Sequence, residues 1–325
     1  MAGRRLLLTG GAGFIGSHLL DALLAAGDQV TVIDNFNSYY DPAIKRSNLS
    51  RHLGGSAFEL IEGDVCDPTV WESLDPDEGW RGILHIAARA GVRPSIEQPA
   101  LYWQTNVEGT ETALSWACSG HSTIPFLFAS SSSVYGDSNI PPYAESAAHP
   151  APVSPYGETK LAAERLLETY RLEHGLPYVV LRFFTVYGPR QRPDLAIHKF
   201  ARLMDLGEPI PVFGDGSSAR DYTHIDDIVI GVQLALERLL EGSLVSSVYN
   251  LGSDRSISLD EMIQTIAGAV GRAALIDRLP MQEGDVRRTW ADLERSRREL
   301  GYEPKMSFAD GVADFVRWLR AGGCD

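Results

Sequence analysis

A chain of 325 residues is too long for one simple core and short for three domains, so a large unit with a smaller partner is the expected organisation. A net charge of −14 with a pI near 5.0 argues against nucleic acid or a membrane surface as the main partner, and any anionic ligand must be met by locally gathered arginines. No run of about 18 apolar residues is present to span a membrane. Three cysteines without CxxC spacing indicate neither a disulfide framework nor a zinc site, so no metal is expected and a reducing, cytoplasmic compartment fits.

Arg5–Thr9 reads as a short buried strand. It runs into Gly10-Gly11-Ala12-Gly13-Phe14-Ile15-Gly16, an apolar-periodic helix over Ser17–Ala26 and a second strand over Gln29–Ile33. Glycines at 10, 13 and 16 between a strand and a helix form the dinucleotide fingerprint: a tight turn, close approach of backbone to pyrophosphate, and close helix packing. Gly10, Gly13, Phe14, Ile15 and Gly16 are therefore expected against the cofactor. Asp34, with Asn35 beside it, ends the second strand where an adenosine ribose needs an acceptor. A carboxylate there repels a 2′-phosphate and selects NAD over NADP.

Asn35 to Asn48 reads as a loop or helix start. Phe58–Glu62 is a third strand, ended by Gly63-Asp64-Val65 where adenine would lie, with a helix cap as the alternative role of Asp64. Gly82–Ile86 is a fourth strand, and Ala87-Ala88 are small enough for a cofactor to pass closely. The loop Arg89 to Ser95 follows at the strand's carboxyl end, where open α/β sheets bind ligands. Tyr102–Ala117 reads as a helix carrying Asn106, expected at the cofactor, and Pro125–Ala129 is a fifth strand leading into Ser130 to Ser133.

Tyr156–His174 reads as a long helix and Tyr178–Arg182 as a sixth strand. Tyr156 and Lys160, four apart, share one helix face. An ammonium near a phenol favours the phenolate and brings it towards use as a base. Spacing alone favours an ordinary exposed pair; the surrounding cofactor pattern decides for chemistry. After Phe183 the strand–helix alternation lapses, prolines and glycines become frequent, and the chain leaves the sheet for a smaller lobe. Thr223–Arg238 reads as a helix capped by Thr223, with the cluster His224, Asp226 and Asp227 belonging to that cap rather than to a metal. Val245–Leu251 returns as a strand, and Ser258–Val270, Asp292–Leu300 and Ala309–Arg320 read as helices of the small lobe. The expected fold is α/β: a Rossmann-type doubly wound parallel sheet (residues 1–182 plus 224–253) with a smaller α/β substrate-binding lobe (183–223 plus 254–325).

Five segments, TGGAGFIGSHL, YGETK, LRFFTVYGP, RDYTHIDDIV and GDVRRTWAD, carry a resemblance from Arg5 to Arg320. The chain resembles an extended short-chain dehydrogenase/reductase of the nucleotide-sugar epimerase and dehydratase group. The resemblance implies that Tyr156 takes the proton from a sugar hydroxyl, that Lys160 lowers its pKa and holds the nicotinamide ribose, and that Ser131 hydrogen-bonds the reacting oxygen. It also implies NAD as a tightly held cofactor, regenerated each cycle. Dehydratases of the group typically carry Asp and Glu after that serine, and the related decarboxylases Glu before VYG. Ser132 and Ser133 stand there instead, which favours epimerisation.

The segments ARAGVRPSIEQP, DNFNSYYDP and FFTVYGPRQRPDLA resemble UDP-glucuronate 4-epimerases more than UDP-galactose 4-epimerases, which usually have asparagine in place of Thr185. Arg93, Thr185 and Arg192, with Ser131, Ser132 and Ser133, are thereby expected at the sugar, where an arginine fork suits a hexuronate carboxylate. Arg220 and Arg287 are expected on the diphosphate and Asp285 near the ribose, with an Arg220–Asp221 ion pair as the alternative. A homodimer on the helices at 102–117 and 156–174 is implied as well. A 4-epimerase of neutral UDP-hexoses and a non-catalytic NAD-binding protein on the same fold are the competing expectations.

Overall fold

The computed structural model describes residues 3–137, 140–146, 150–280 and 287–323. Its centre is a seven-stranded sheet in which every pairing is parallel. The strands are β1 (Arg5–Thr9), β2 (Gln29–Asp34), β3 (Phe58–Glu62), β4 (Gly82–His85), β5 (Phe126–Ser131), β6 (Tyr178–Phe183) and the edge strand Val248–Leu251. Their order is Val248–Leu251, β6, β5, β4, β1, β2, β3. Helices cover both faces, so side chains on both sides of each central strand are buried. Leu6 and Leu8 point to one side, with Leu19, Leu20, Val32 and Val232; Leu7 points to the other, with Ile33, Phe126, Phe128 and Trp116.

The smaller lobe packs the helices Ala196–Leu206, Leu259–Val270 and Phe308–Arg320 around Phe200, Met204, Ile263 and Phe315. A parallel strand pair, Ile210–Phe213 with Ile276–Leu279, completes it. One expected lobe helix belongs elsewhere. Glu294–Leu300 packs on the edge strand Val248–Leu251, because Leu293, Leu300 and Tyr302 bury in the same cluster as Ile228 and Leu251.

Three further elements differ from expectation. The first helix, α1 (Phe14–Ala25), starts three residues early because Gly13 in extended conformation serves as its N-cap. The helix expected over Tyr102–Ala117 is broken into Pro99–Trp103, a π-helical turn over Gln104–Glu108, and Gly109–Ala117. Such wide turns recur beside functional sites, and this one turns Asn106 inward. Thr223 lies in a short strand, Tyr222–His224. His224 is the N-cap of Ile225–Leu240, its Nδ1 accepting from Asp226 N at 3.3 Å.

Candidate active site

Strand order reverses at β1, where the chain goes out to β2 and β3 and then returns to β4 on the other side. Loops on either side of such a point diverge and leave a crevice at the strands' carboxyl ends. A cleft of about 370 Å³ lies there, within the ~300–1,000 Å³ usual for small-molecule sites. The fingerprint glycines divide by role. Gly10 adopts φ +71 and a Cβ on it would meet Ala87 N at 2.7 Å, while a Cβ on Gly16 would overlap Gly10 O. Both are demanded by the fold itself. A Cβ on Gly13 would meet only Gly10 O, at 3.3 Å, so space beside the N-terminus of α1 stays open, as a pyrophosphate requires.

Asp34 ends β2 and is 8% exposed. Oδ2 accepts from Ala12 N at 3.0 Å and Oδ1 from Phe36 N at 2.9 Å. Burial pushes the carboxyl up, against the pull of those two amides. A carboxylate offers roughly four acceptor positions, so acceptors remain for a ribose, and the residues present fit a dinucleotide. Phe14, Ile15, Asn35, Val65, Ala87 and Ala88 line the cleft as expected.

Two residues expected at the cofactor, Asp64 and Asn106, are not among those lining the cleft. Asp64 accepts from Cys66 N at 2.9 Å and from Asn35 Nδ2 at 2.8 Å, which braces the turn after β3, and the neighbouring helix is capped by Asp67 instead. Asn106, 1% exposed, accepts from Arg89 N at 2.7 Å and donates to Arg89 O and Thr159 Oγ1, each at 3.0 Å. Its polar atoms are spent on holding the loop after β4, whose Arg89 lines the cleft. Lys45, Tyr39 and Tyr40 join the wall; the two tyrosines lie in the DNFNSYYDP segment, and Lys45 follows it outside any motif segment. Asp41-Pro42 is a helix-start signal that would have placed Lys45 in the first turns of Pro42–Leu49. Its ammonium donates to Asn37 O at 2.8 Å and lies 4.7 Å from the Tyr40 ring centre.

Tyr156 and Lys160 both face the cleft from the helix Pro155–His174, which Ser154 caps by accepting from Gly157 N. Burial raises the Tyr156 phenol; a hydrogen bond with Ser131 and the charge of Arg192 pull the other way. The expected direct action of Lys160 on that phenol is absent in this arrangement. Lys160 Nζ is turned down onto β5, donating to Ala129 O at 2.8 Å and lying 4.8 Å from the Phe128 ring centre. Burial lowers the Lys160 ammonium to about 7, opposed by Glu164 one turn on. Ser131 Oγ accepts from Ser133 N at 3.2 Å and is 3.1 Å from Ser133 Oγ, and Ser132 completes the serine face of the cleft.

Thr185 and Arg192 reach the same cleft from the segment leaving the sheet. Arg93 does not. The turn at Gly91, φ +122, starts the helix Val92–Glu97 and carries the Arg93 guanidinium to 5.0 Å from the Phe213 ring centre in the small lobe. Arg220 lies on the short strand Ala219–Arg220 with Nη1 donating to Ala219 O, outside the cleft wall. The carboxylate of its neighbour Asp221 accepts from Ser253 N and Ala291 N. Arg287 is exposed, its carbonyl accepting from Ala219 N, and Asp285 lies outside the described residues.

Residues 6–252 match the NAD dependent epimerase/dehydratase family. The chain is 37% identical over 330 residues to UDP-glucuronate 4-epimerase 3 of Arabidopsis thaliana, covering 97% of this chain and 76% of that protein. Among solved structures, the UDP-glucuronic acid 4-epimerase of Bacillus cereus in complex with UDP-glucuronic acid and NAD has a TM-score of 0.88 at 33% identity, covering 98% of this chain and 99% of that one. The UDP-glucose 4-epimerase of Thermotoga maritima with UDP-glucose has a TM-score of 0.88 at 32% identity, with the same coverage. The matched span takes in both the glycine cradle and the Tyr156–Lys160 helix, and the chain belongs to the NAD dependent epimerase/dehydratase family.

Proposed function

We propose that this protein is an NAD-dependent 4-epimerase of a UDP-hexuronate, interconverting UDP-glucuronate and UDP-galacturonate through a transient 4-keto sugar. One observation carries the reading: Tyr156, Ser131 and Lys160 share a single cleft with Arg192 and Thr185, a proton-transfer set beside a fork suited to a carboxylate. The Arabidopsis and Bacillus relatives named for this activity support it.

NAD, when bound, supplies the hydride acceptor and donor for the sugar carbon. Tyr156 takes the proton from the C4 hydroxyl and returns it after the keto sugar has presented its other face. Ser131, within hydrogen-bond reach of that phenol, steadies the reacting oxygen. The Ser131 hydrogen bond and the charge of Arg192 favour the phenolate against burial, and Lys160 serves the nicotinamide ribose. Ser132 and Ser133 are neutral near pH 7, so neither supplies the acid and base that elimination of water needs. A 4-keto uronate is a β-keto acid, which loses CO2 when its carboxylate bond aligns with the carbonyl π system. Arg192 and Thr185 hold the carboxylate out of that alignment. The diphosphate lies towards Arg220 and Arg287, with Asp285 at the ribose.

The enzyme works as a homodimer joined through the outer faces of Pro99–Ala117 and Pro155–His174, where Trp103 is 47% and Leu172 68% exposed. A cytoplasmic location agrees with Cys66 and Cys118 outside any disulfide; no helix of the described residues is long and apolar enough to cross a membrane. Turnover of UDP-glucuronate and UDP-glucose by the purified NAD-loaded protein, resolved by chromatography of the products, tests the reading. UDP-galacturonate should dominate, and a strong preference for the neutral sugar would overturn the assignment. Light scattering of the same sample tests the dimer, which a monomer mass would refute.

A further inference from the structure

Arg192 and Asp194 stand two residues apart on the segment that follows Gly188. Nε of Arg192 donates to Asp194 Oδ1 and Nη2 to Oδ2, both at 2.9 Å. These two parallel bonds occupy one edge of the guanidinium. Against its face, the guanidinium carbon lies 5.0 Å from the ring centre of Tyr39, on the loop that also forms the ribose end of the cleft. A guanidinium carries five N–H donors in one plane. Asp194 takes two, so both hydrogens of Nη1 and the second of Nη2 have no hydrogen-bond partner among the described residues. Arg192 lines the cleft and Asp194 does not, their side chains being 15% and 43% exposed. The Nε–Nη2 edge is committed to Asp194, the more exposed partner, which leaves the Nη1–Nη2 edge for the cleft.

We propose that Asp194 is a positioning residue for the sugar carboxylate: it holds Arg192 by one edge so that the adjoining Nη1–Nη2 edge receives the hexuronate, and thereby sets the preference for an acidic sugar. The proposal rests on the UDP-hexuronate reading above. A carboxylate that merely kept Arg192 company until substrate arrived would occupy the donors that substrate needs and would have to leave. Here the two edges differ, and one guanidinium serves both carboxylates at once. Pairing with Asp194 also offsets part of the Arg192 charge, so the direction of its hydrogen bonds carries much of the recognition. Without Asp194 the guanidinium keeps its donors but gains rotamer freedom, which must be lost again on binding.

The test uses the NAD-loaded protein and its Asp194→Ala, Asp194→Asn, Asp194→Glu and Arg192→Ala variants. It measures kcat and KM for UDP-glucuronate and UDP-glucose, and calorimetric binding of UDP-glucuronate and of UDP. Asp194→Ala should raise KM and Kd for UDP-glucuronate roughly tenfold, as expected for a misdirected charge-assisted hydrogen bond, while kcat and the affinity for UDP stay near wild type. Asp194→Asn keeps the shape and one acceptor and should fall between, and Asp194→Glu should recover part of the loss. Unchanged affinity would make Asp194 a bystander, and tighter binding would make it a competitor; either result overturns the proposal. Retained UDP affinity separates these outcomes from loss of fold. Failure of the parent reading looks different, since wild type itself would then neither bind nor epimerise UDP-glucuronate, and Asp194 would lose its proposed partner with it.

Discussion

The two ends of the cleft are built by opposite means. The Tyr156–Lys160 end stands on regular structure, the last residues of β5 and the first two turns of a 20-residue helix. Beneath it lies a buried polar network. Glu164 accepts from Arg182 Nε at 3.0 Å and Nη2 at 2.6 Å and from Ser130 Oγ. Arg182 lies 4.8 Å from the Tyr135 ring centre, and Tyr135 Oη donates to Asn250 Oδ1 at 2.7 Å. The Arg192 end consists of side chains from two irregular segments, which meet where the Arg192 guanidinium, paired with Asp194, lies over the Tyr39 ring. Proton and hydride transfer tolerate little misplacement and so sit on rigid elements. Recognition of a carboxylate needs only a fork correctly aimed, which a loop can supply.

If this contrast holds, replacements at the two ends fail differently. Tyr156→Phe should lower kcat by about 10³-fold, within the range for a lost general base, while calorimetric affinity for UDP-glucuronate stays close to wild type. A variant that lost affinity and kept turnover would reverse the roles of the two ends. Glu164→Ala should cost about 3–5 kcal/mol of stability by stranding the buried Arg182, seen as a lower urea midpoint. The paired replacement Glu164→Met with Arg182→Leu should recover most of it. Were Glu164→Ala neutral, the rigid end would owe its order to something other than this ion pair.

Arg192→Ala should weaken UDP-glucuronate by about 1.5–3 kcal/mol, the worth of charge-assisted hydrogen bonds. Turnover of any neutral UDP-hexose should be spared, and pentose from decarboxylation should rise among the products. An unchanged product ratio would break the link between the fork and carboxylate retention.

The effect least tied to either end of the cleft is that of pH on the sheet. His85 is fully buried between Thr9 Oγ1 at 3.0 Å and Thr110 Oγ1 at 3.2 Å, and burial, then the charge of Lys160, lowers it to about 3 from 6.5. The unfolded chain therefore binds a proton that the folded chain refuses. The stability this represents is present above about pH 6.5 and is lost as pH falls towards 3, by at most ~1.4 kcal/mol per pH unit for one histidine. His18, lowered to about 4 by burial and then by Arg190, adds to the same limb. Urea titrations across that range should show a shallower acid limb in His85→Gln, and an identical slope would remove His85 from the account.

The rigid end was the more legible in sequence. Glycine spacing, the four-residue Tyr156–Lys160 interval and the run of buried strands are local signals, each imposed by the period of one element. The backbone-bracing bonds of Asn106 and Asp64 were not legible, because a polar residue near a predicted site reads the same whether it faces ligand or braces backbone, and the cap fell on His224 one residue beyond Thr223. The helix Glu294–Leu300 carried the right period, but no period states which lobe it will cover.

Sequence by itself determined the doubly wound sheet, the dinucleotide cradle and the neutral serine face, since these follow from steric rules acting over a few residues. Tertiary structure alone decided where the charges point. It turned Lys160 onto Ala129 O, sent Arg93 to Phe213 rather than to the cleft, and set Asp194 and Tyr39 around Arg192. A guanidinium or ammonium on a long side chain can reach any of several partners within its span. Which one it takes depends on what distant segments bring alongside, and no local rule carries that information.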